Sequence, residues 1–121
     1  MLKGLRGFLN FDSTGFFKDK QLMITAISKW QDFKSKEVLG TKVEIVIIQD
    51  NMNYAIKNGE QISNKFEKLT VKIAKPLNDM QNTITIDSIV TLINPTATVY
   101  GNYSENLSVK CSDIKVVKPA N

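Results

Sequence analysis

The sequence contains no histidine, a single cysteine and six glycines that stand singly along the chain. Histidine is the commonest general base and metal ligand, so its absence excludes every Ser/His or Cys/His nucleophile arrangement. Isolated glycines form no Gly-rich phosphate loop. The acidic residues are spread along the chain, with no two placed for acid/base work. We therefore expect a protein without enzymatic activity and without a metal or other cofactor.

Long apolar runs are also absent. No stretch approaches the roughly 20 apolar residues of a membrane span, and residues 1–17 lack the uninterrupted apolar region of a secretory signal. We expect a cytoplasmic protein with no membrane partner. The one cysteine, Cys111, cannot form an internal disulfide, and its in-phase position between Val109 and Ile114 favours a buried thiol over a reactive one.

The composition is that of one globular domain. The chain has 121 residues, of which 42% are hydrophobic and 23% charged, enough for a single core and too apolar for a disordered chain. We assign residues 1–121 to one domain, with an N-terminal arm over about residues 1–15.

Alternating apolar residues predict three strands in the first two thirds of the chain. In residues 41–50, Val43, Ile45 and Ile47 are expected to face the core. In residues 66–75, Leu69, Val71 and Ile73 share one face, while Lys68, Thr70 and Lys72 share the other. Residues 22–33 carry apolar side chains on both parities, so the pattern leaves open which face is buried. Residues 76–82 are expected to hold a helical turn.

Residues 88–117 read as a long bent hairpin. Asn94-Pro95 interrupts the first arm, and because proline cannot donate to a ladder it predicts a bulge or bend. The second arm changes parity at Ser112-Asp113. A bent strand, a polar loop and a strand that shifts register are what the end of a small Greek-key barrel requires. We predict an all-β fold, a five-stranded Greek-key barrel of the OB type with at most one short helix; the alternative is another small β-barrel or sandwich.

Positive charge is concentrated in the first two thirds of the chain. Residues 16–42 hold six lysines against three acids, a net charge of +3, and residues 65–75 hold four lysines against Glu67, again +3. Residues 76–109 contain no lysine or arginine and three acids, a net charge of −3. This asymmetry predicts a basic face for a polyanion.

Three segments carry a resemblance to a known family. The run Ile-Val-Thr-Leu-Ile-Asn-Pro at residues 89–95, the loop Tyr100-Gly-Asn-Tyr103 and the ending Ser-Val-Lys-Cys-Ser-Asp-Ile at residues 108–114 resemble the last strands of small OB-fold proteins from phages and mobile elements of Gram-positive bacteria. The chain is similar to the single-stranded DNA-binding proteins of lactococcal phages. The resemblance implies coating of single-stranded DNA during replication and recombination in the host cytoplasm, and contact with a host recombinase or with replication proteins.

The candidate binding residues follow from the predicted barrel. Nonspecific binding of single strands needs cations for phosphates and aromatic rings on which bases stack. An OB barrel presents such groups on its second and third strands and on the loops that join strands one to two and four to five. The candidate residues are Trp30, Lys34, Lys36, Lys42, Tyr54, Lys68, Lys72, Tyr100, Tyr103 and Lys110.

Several aromatic residues keep a second interpretation. Trp30 and Phe33 have opposite parity, so one of the two is expected in the core, and Trp30 is either that core residue or a stacking platform. Phe66 is expected in the core. Tyr100 and Tyr103 are either stacking residues or ordinary loop tyrosines.

Two functions and two states of assembly remain open at this level. The first function is a sequence-nonspecific single-stranded DNA-binding protein; the alternative is a non-enzymatic β-barrel adaptor that binds a protein, such as a phage structural or host-interaction component. No helix-turn-helix pattern favours a duplex-binding regulator. One barrel covers few nucleotides, so we expect a homo-oligomer, a dimer or tetramer, joined through the N-terminal segment of residues 2–17 or an exposed strand. Alternatively, the phenylalanines of that segment plug their own barrel: Phe8, Phe11, Phe16 and Phe17.

Overall fold

Seven β-strands and two short helices form the part of the chain that the structure, a computed structural model, describes: residues 1–4, 11–52, 54, 59, 62–100 and 106–119. In chain order the elements are α1 (Ser13–Lys18), β1 (Lys20–Gln31), β2 (Val38–Asp50), β3 (Lys68–Ile73), α2 (Leu77–Gln81), β4 (Ile89–Ile93), β5 (Thr96–Tyr100), β6 (Asn106–Cys111) and β7 (Asp113–Lys118). The all-β class that the sequence predicts is confirmed.

The strands belong to one sheet in the order β5-β6-β3-β2-β1-β4-β7. An antiparallel meander of β1, β2 and β3 forms its centre. Strand β6 joins the free side of β3 in parallel, and β4 joins the free side of β1 in an antiparallel pairing. Both edges of the meander are therefore covered by parts of the same C-terminal hairpin.

The C-terminal hairpin is bent, as the sequence predicts, and the bend divides each of its arms into two strands. Asn94-Pro95 separates β4 from β5, and Asn94 has a φ of 51°. On the other arm Ser112 separates β6 from β7 and donates its backbone N–H to the Ile93 oxygen at 3.0 Å. The structure therefore has seven strands where the sequence predicts five. Among the described residues, the hydrogen-bonded order ends at β5 and β7 and does not close into a ring.

The core lies on one face of the sheet. Val43, Ile45 and Ile47 of β2 are buried, with Val71 and Ile73 of β3, which confirms the predicted faces of these strands. The other buried apolar residues come from β1, α2, β4, β6, β7 and the connection between α2 and β4: Leu22, Ile24, Met80, Ile84, Val90, Leu92, Val109, Cys111 and Ile114. Burial of Cys111 is confirmed, and this burial raises the pKa of its thiol to about 11.

A bulge in β1 explains why the sequence does not show which of its faces is buried. Leu22 and Ile24 are buried, and the pairing with β2 then shifts register between Ile24 and Ala26. An extra residue in one strand reverses the face that the following side chains present. Ile27 therefore packs on the core, while Ser28 and Trp30 point to the opposite face.

Two helices are present, so the prediction of at most one was wrong. The predicted helical turn before β4 is confirmed as α2, which buries Met80. The other helix, α1, is not among the elements that the sequence predicts. The Asp12 side chain accepts a hydrogen bond from the Gly15 backbone N–H at 3.0 Å and caps the helix. No helix in the described ranges has the length and apolar character needed to cross a membrane.

Candidate nucleic-acid interface

Three lysines lie side by side across the outer face of the sheet. Lys42 of β2 is the cross-strand partner of Lys72 of β3, and Lys72 is the partner of Lys110 of β6. Their neighbours Val43, Val71 and Val109 are all buried, so alternation places the three lysines on the face that points away from the core. We call Lys42, Lys72 and Lys110 the lysine row.

The lysine row is electrostatically unfavourable in the isolated protein. Like charges directly opposite one another in a sheet are destabilising. The two ion pairs in the described part of the chain join Lys20 to Asp50 and Lys75 to Asp113, so neither neutralises the row. Glu44 lies on the same face, but its partners on β1 and β3 are Ala26 and Thr70. A polyanion placed over the row would remove this repulsion.

The Trp30 indole lies beside two lysines of the row. Trp30 is half-buried on the outer face, and its ring centroid is 5.5 Å from the Lys72 Nζ and 5.6 Å from the Lys110 Nζ. These distances place both ammonium groups within cation–π range. Of the two interpretations open for Trp30, the structure therefore excludes a place in the core. It puts an aromatic ring next to the cations, as stacking of bases beside bound phosphates requires.

Gly40 shapes the sheet next to Trp30. It is the β2 partner of Trp30, so no side chain on β2 stands opposite the indole. Gly40 is buried, and a Cβ at this position would collide with the backbone carbonyl oxygen of Ile73 on β3. Only glycine lets the start of β2 lie this close to β3.

The loop between β1 and β2 presents a further aromatic residue and two candidate lysines. Two hydrogen bonds fix this loop. The Asp32 carboxylate accepts from the Ser35 backbone N–H at 2.9 Å, and the Asp32 backbone carbonyl oxygen accepts from the Lys36 backbone N–H at 2.9 Å. The hydrogen bonds from Ser35 lower the pKa of Asp32. Phe33 is 86% exposed on this loop, 5.2 Å from the Lys36 Nζ. Lys34 is exposed too.

Neither Trp30 nor Phe33 is in the core, so the prediction that one of them is buried was wrong. The prediction that Phe66 is a core residue was wrong as well, because its side chain is 68% exposed. Phe33 and Phe66 are the exposed aromatic residues that sequence reasoning missed as candidates for the interface. The available signal was local: each is adjacent in sequence to a lysine, in Phe33-Lys34 and Lys65-Phe66.

Tyr54 lies at the other end of β2 and takes part in a polar network. Its hydroxyl donates to the Asp50 carboxylate at 2.7 Å and accepts from the Asn64 side-chain amide at 2.8 Å. The Lys20 Nζ lies 3.4 Å from Asp50, and both side chains are fully buried. Burial raises the pKa of Asp50, but hydrogen bonds from Asn64 and Tyr54 and the charge of Lys20 outweigh this effect and hold that pKa below its usual value.

Lys68 and Tyr100 line a groove of about 660 Å³ where β6 diverges from β3. Leu69 and Leu107 form part of its apolar lining, and Phe11 and Phe16 close one side. The Phe16 ring is 5.2 Å from Phe11 and 5.1 Å from Phe17, so these three phenylalanines pack within their own chain. The candidate Tyr103 lies outside the described residues, as does Phe8.

The structure thus brings Trp30, Lys42, Lys72 and Lys110 together and holds Lys34 and Lys36 on the adjoining loop. Lys68 lies further along the outer face of β3. Tyr54 hydrogen-bonds to Asp50, which lies at the far end of β2, about 26 Å along the strand from Lys42. Within the described ranges, no group of three or more Cys, Asp or Glu side chains is placed to hold a metal ion.

No protein-family model, curated protein or solved structure matches this chain.

Proposed function

We propose that this protein binds single-stranded DNA without sequence preference and protects it during replication and recombination of phage or mobile-element DNA. The observation that carries the proposal is the lysine row next to the Trp30 ring: three cations aligned across adjacent strands, none of them ion-paired with an acid among the described residues. The row would bind consecutive phosphates, and the indole would stack on a base.

The chemistry of this face favours single strands over duplex. In a duplex the bases are stacked on one another, so an aromatic ring on a protein surface reaches their faces only when the strand is single. Phosphate charge and a π-face are common to every nucleotide, so contacts of these two kinds carry no sequence preference. The two described helices have six and five residues, and neither forms a recognition helix of the kind that reads the major groove.

The strand order supports the OB-type arrangement that we propose for the fold. If β4 with β5, and β6 with β7, are counted as two bent strands, the sheet reduces to five. The meander β1-β2-β3 is then covered on one side by the parallel strand β6 and on the other by the antiparallel strand β4. In such barrels the nucleic acid crosses strands two and three and the adjoining loops. Lys42 and Lys72 lie on strands two and three, Phe33 lies on the loop that joins strands one and two, and Lys110 lies on the neighbouring fifth strand.

We also propose a homo-oligomer in which β5 pairs with β5 of a second copy. Strand β5 ends the hydrogen-bonded order and contains Thr96, Ala97, Thr98, Val99 and Tyr100, with no charged residue. Exposed edge strands are normally protected by charge, as β7 is by Asp113, Lys115 and Lys118. A two-fold axis at Thr98 would pair uncharged side chains from both copies and extend the sheet.

Titration with fluorescent oligo-dT and with a duplex of equal length tests the proposed function. We expect tighter binding of oligo-dT and quenching of Trp30 fluorescence on binding, because Trp30 is the only tryptophan. Trp30→Ala should weaken binding by about five-fold or more, since stacking contributes about 1–3 kcal/mol per base. Lys115→Gln, a change of one exposed lysine on β7, is the control. Failure to bind oligo-dT at low salt would refute the proposal and favour the protein-binding adaptor.

A further inference from the structure

Phe66 occupies a turn position that normally belongs to glycine. The turn spans residues 64–67 and is closed by the Glu67 N–H, which donates to the Asn64 oxygen at 3.0 Å. Phe66 is its third residue and has a φ of 71°. Turns with positive φ at this position select glycine or asparagine, and a bulky residue there is a conformational outlier. The backbone is nonetheless held firmly, because the Phe66 N–H donates to the Ile47 oxygen at 2.6 Å.

The Phe66 side chain gains little burial from the fold in return. The ring is 68% exposed, so a large apolar surface stays in water at a position where glycine would be free of strain. Strained residues with exposed side chains are typical of binding sites, where the surrounding structure maintains an unfavourable local conformation for a functional reason. A contact between the Phe66 ring and a binding partner would explain why a phenylalanine occupies this strained and exposed position.

The surroundings of Phe66 match the chemistry of the Trp30 site. The Lys65 Nζ lies 5.0 Å from the Phe66 ring centroid, the same combination of aromatic ring and ammonium group. From this turn β3 leads directly to the lysine row, with Lys68 and Thr70 exposed on the way to Lys72. The six residue-to-residue steps from Phe66 to Lys72 would span about 20 Å of extended chain.

We infer that Phe66 and Lys65 form a second attachment point for the single strand that the lysine row binds. Phe66 stacks on a base and Lys65 contacts a phosphate. This inference rests on the proposed function, and it predicts how many nucleotides of the strand one protein molecule contacts. At about 3.4 Å per nucleotide of stacked strand, 20 Å corresponds to about six nucleotides. Oligonucleotides shorter than this reach the Trp30 site alone, and longer ones reach both sites.

Phe66→Gly tests the inference, because glycine adopts positive φ without steric cost and the variant should melt at or above the wild-type temperature. We expect its affinity for dT15 to fall about five-fold or more, while its affinity for dT4 stays at the wild-type value. Phe66→Asn also suits positive φ and should behave in the same way. Phe66→Tyr is the matched control, which keeps an aromatic ring and should retain affinity for dT15.

The result separates this inference from the proposed function. Unchanged affinity of both Phe66→Gly and Phe66→Asn for dT15 would overturn the second attachment point, while binding of dT4 by the wild type would leave the Trp30 site in place. Equal losses for dT4 and dT15 would also overturn it, since Phe66 would then act on the first site. If the wild-type protein binds neither dT4 nor dT15, the proposed function itself is refuted.

Discussion

Individual charged side chains fall into two groups, those that hold the fold and those that face solvent on the lysine row. Lys20 belongs to the first group: its Nζ lies 3.4 Å from Asp50, donates to the Phe16 oxygen at 2.6 Å and sits 3.9 Å from the centre of the Phe16 ring. Lys72 belongs to the second group: its Nζ lies 5.5 Å from the Trp30 ring centroid, and neither ion pair among the described residues includes it. The same residue type thus stabilises the fold in one place and opposes it in another.

Removing the charge of Asp50 should destabilise the protein strongly. Asp50→Asn leaves the buried Lys20 ammonium without its counter-charge, which costs about 3 kcal/mol in the free energy of unfolding. Asp113→Asn breaks the ion pair with Lys75, whose side chains are 44% and 38% exposed, and should cost less than about 1 kcal/mol. Urea denaturation of both variants at pH 7 provides the comparison, and equal losses would contradict the assignment of Asp50 to a structural role.

The effect of Asp50 should depend on pH. Because the pKa of Asp50 is lower in the folded protein than in the unfolded chain, its contribution is present above the ordinary carboxyl pKa of about 3.9 and disappears as the pH falls through its folded value. We expect the stability difference between wild type and Asp50→Asn to shrink when urea denaturation is repeated at pH 3. A constant difference from pH 7 to pH 3 would be incompatible with this linkage.

Cys111 should be inert in the folded protein. Burial raises the pKa of its thiol to about 11, so the reactive thiolate is scarce at neutral pH. We expect slow reaction with a disulfide reagent until the protein is unfolded. Because the thiol pKa is higher in the folded protein than in the unfolded chain, the neutral thiol favours the folded state at every pH below the unfolded pKa. As the pH rises from the unfolded pKa to the folded pKa, the free energy of unfolding decreases by about 1.4 kcal/mol per pH unit. Cys111→Ala should remove this part of the destabilisation at alkaline pH. Rapid reaction of the native protein with the disulfide reagent would contradict burial of the thiol.

Among the elements, β2 and β3 are the ones whose structure the sequence predicts best. Their alternation assigns each side chain to a face without knowledge of any partner strand, so the outward lysines of both strands could be identified in advance. The buried face of β1 could not, because the bulge near Thr25 arises from its pairing with β2. Strand β3 begins at Lys68 and not at Phe66, so Phe66 lies in the preceding turn instead of in the core. The turn that exposes it depends on a hydrogen bond to Ile47.

The start of β2 should tolerate no side chain at Gly40. Gly40→Ala places a Cβ against the Ile73 carbonyl oxygen, so two strands must move apart, and we expect a loss of about 2 kcal/mol or more in the free energy of unfolding. Gly15→Ala is the matched control: the added Cβ meets the Asp12 side chain, so the change costs at most the Asp12 cap, about 1 kcal/mol, and alanine favours the helix. Thermal melts followed by circular dichroism compare the two variants. A higher melting temperature for Gly40→Ala than for Gly15→Ala would contradict the close approach of β2 and β3 at Gly40.

At the scale of the whole molecule, long-range pairing completes the candidate interface. Lys110 joins Lys42 and Lys72 only because β6 lies parallel to β3, a contact between residues far apart in sequence. The sequence therefore indicates the residue types of the candidate interface but not how they are arranged. Phe33 is displayed by a loop whose conformation depends on the Asp32 hydrogen bonds, which strand alternation does not reveal.

The proposed assembly through β5 predicts that a charge at its centre separates the copies. Thr98→Lys would bring two ammonium groups together at the two-fold axis, so we expect light scattering to give a smaller mass than for the wild type. Val117→Lys adds the same charge to β7, where Val117 is 64% exposed, and should leave the mass unchanged. A wild-type protein that is monomeric at micromolar concentration would rule out the assembly.

The salt dependence of oligo-dT binding tests the role of the lysine row most directly. Each phosphate neutralised on a single strand contributes about −0.7 to the slope of the logarithm of the binding constant against the logarithm of salt concentration. The variant with Lys42, Lys72 and Lys110 all changed to Gln should therefore bind more weakly and have a slope about 2 units less negative than the wild type. The same slope in both proteins, or wild-type binding that does not depend on salt, would contradict a phosphate-binding row.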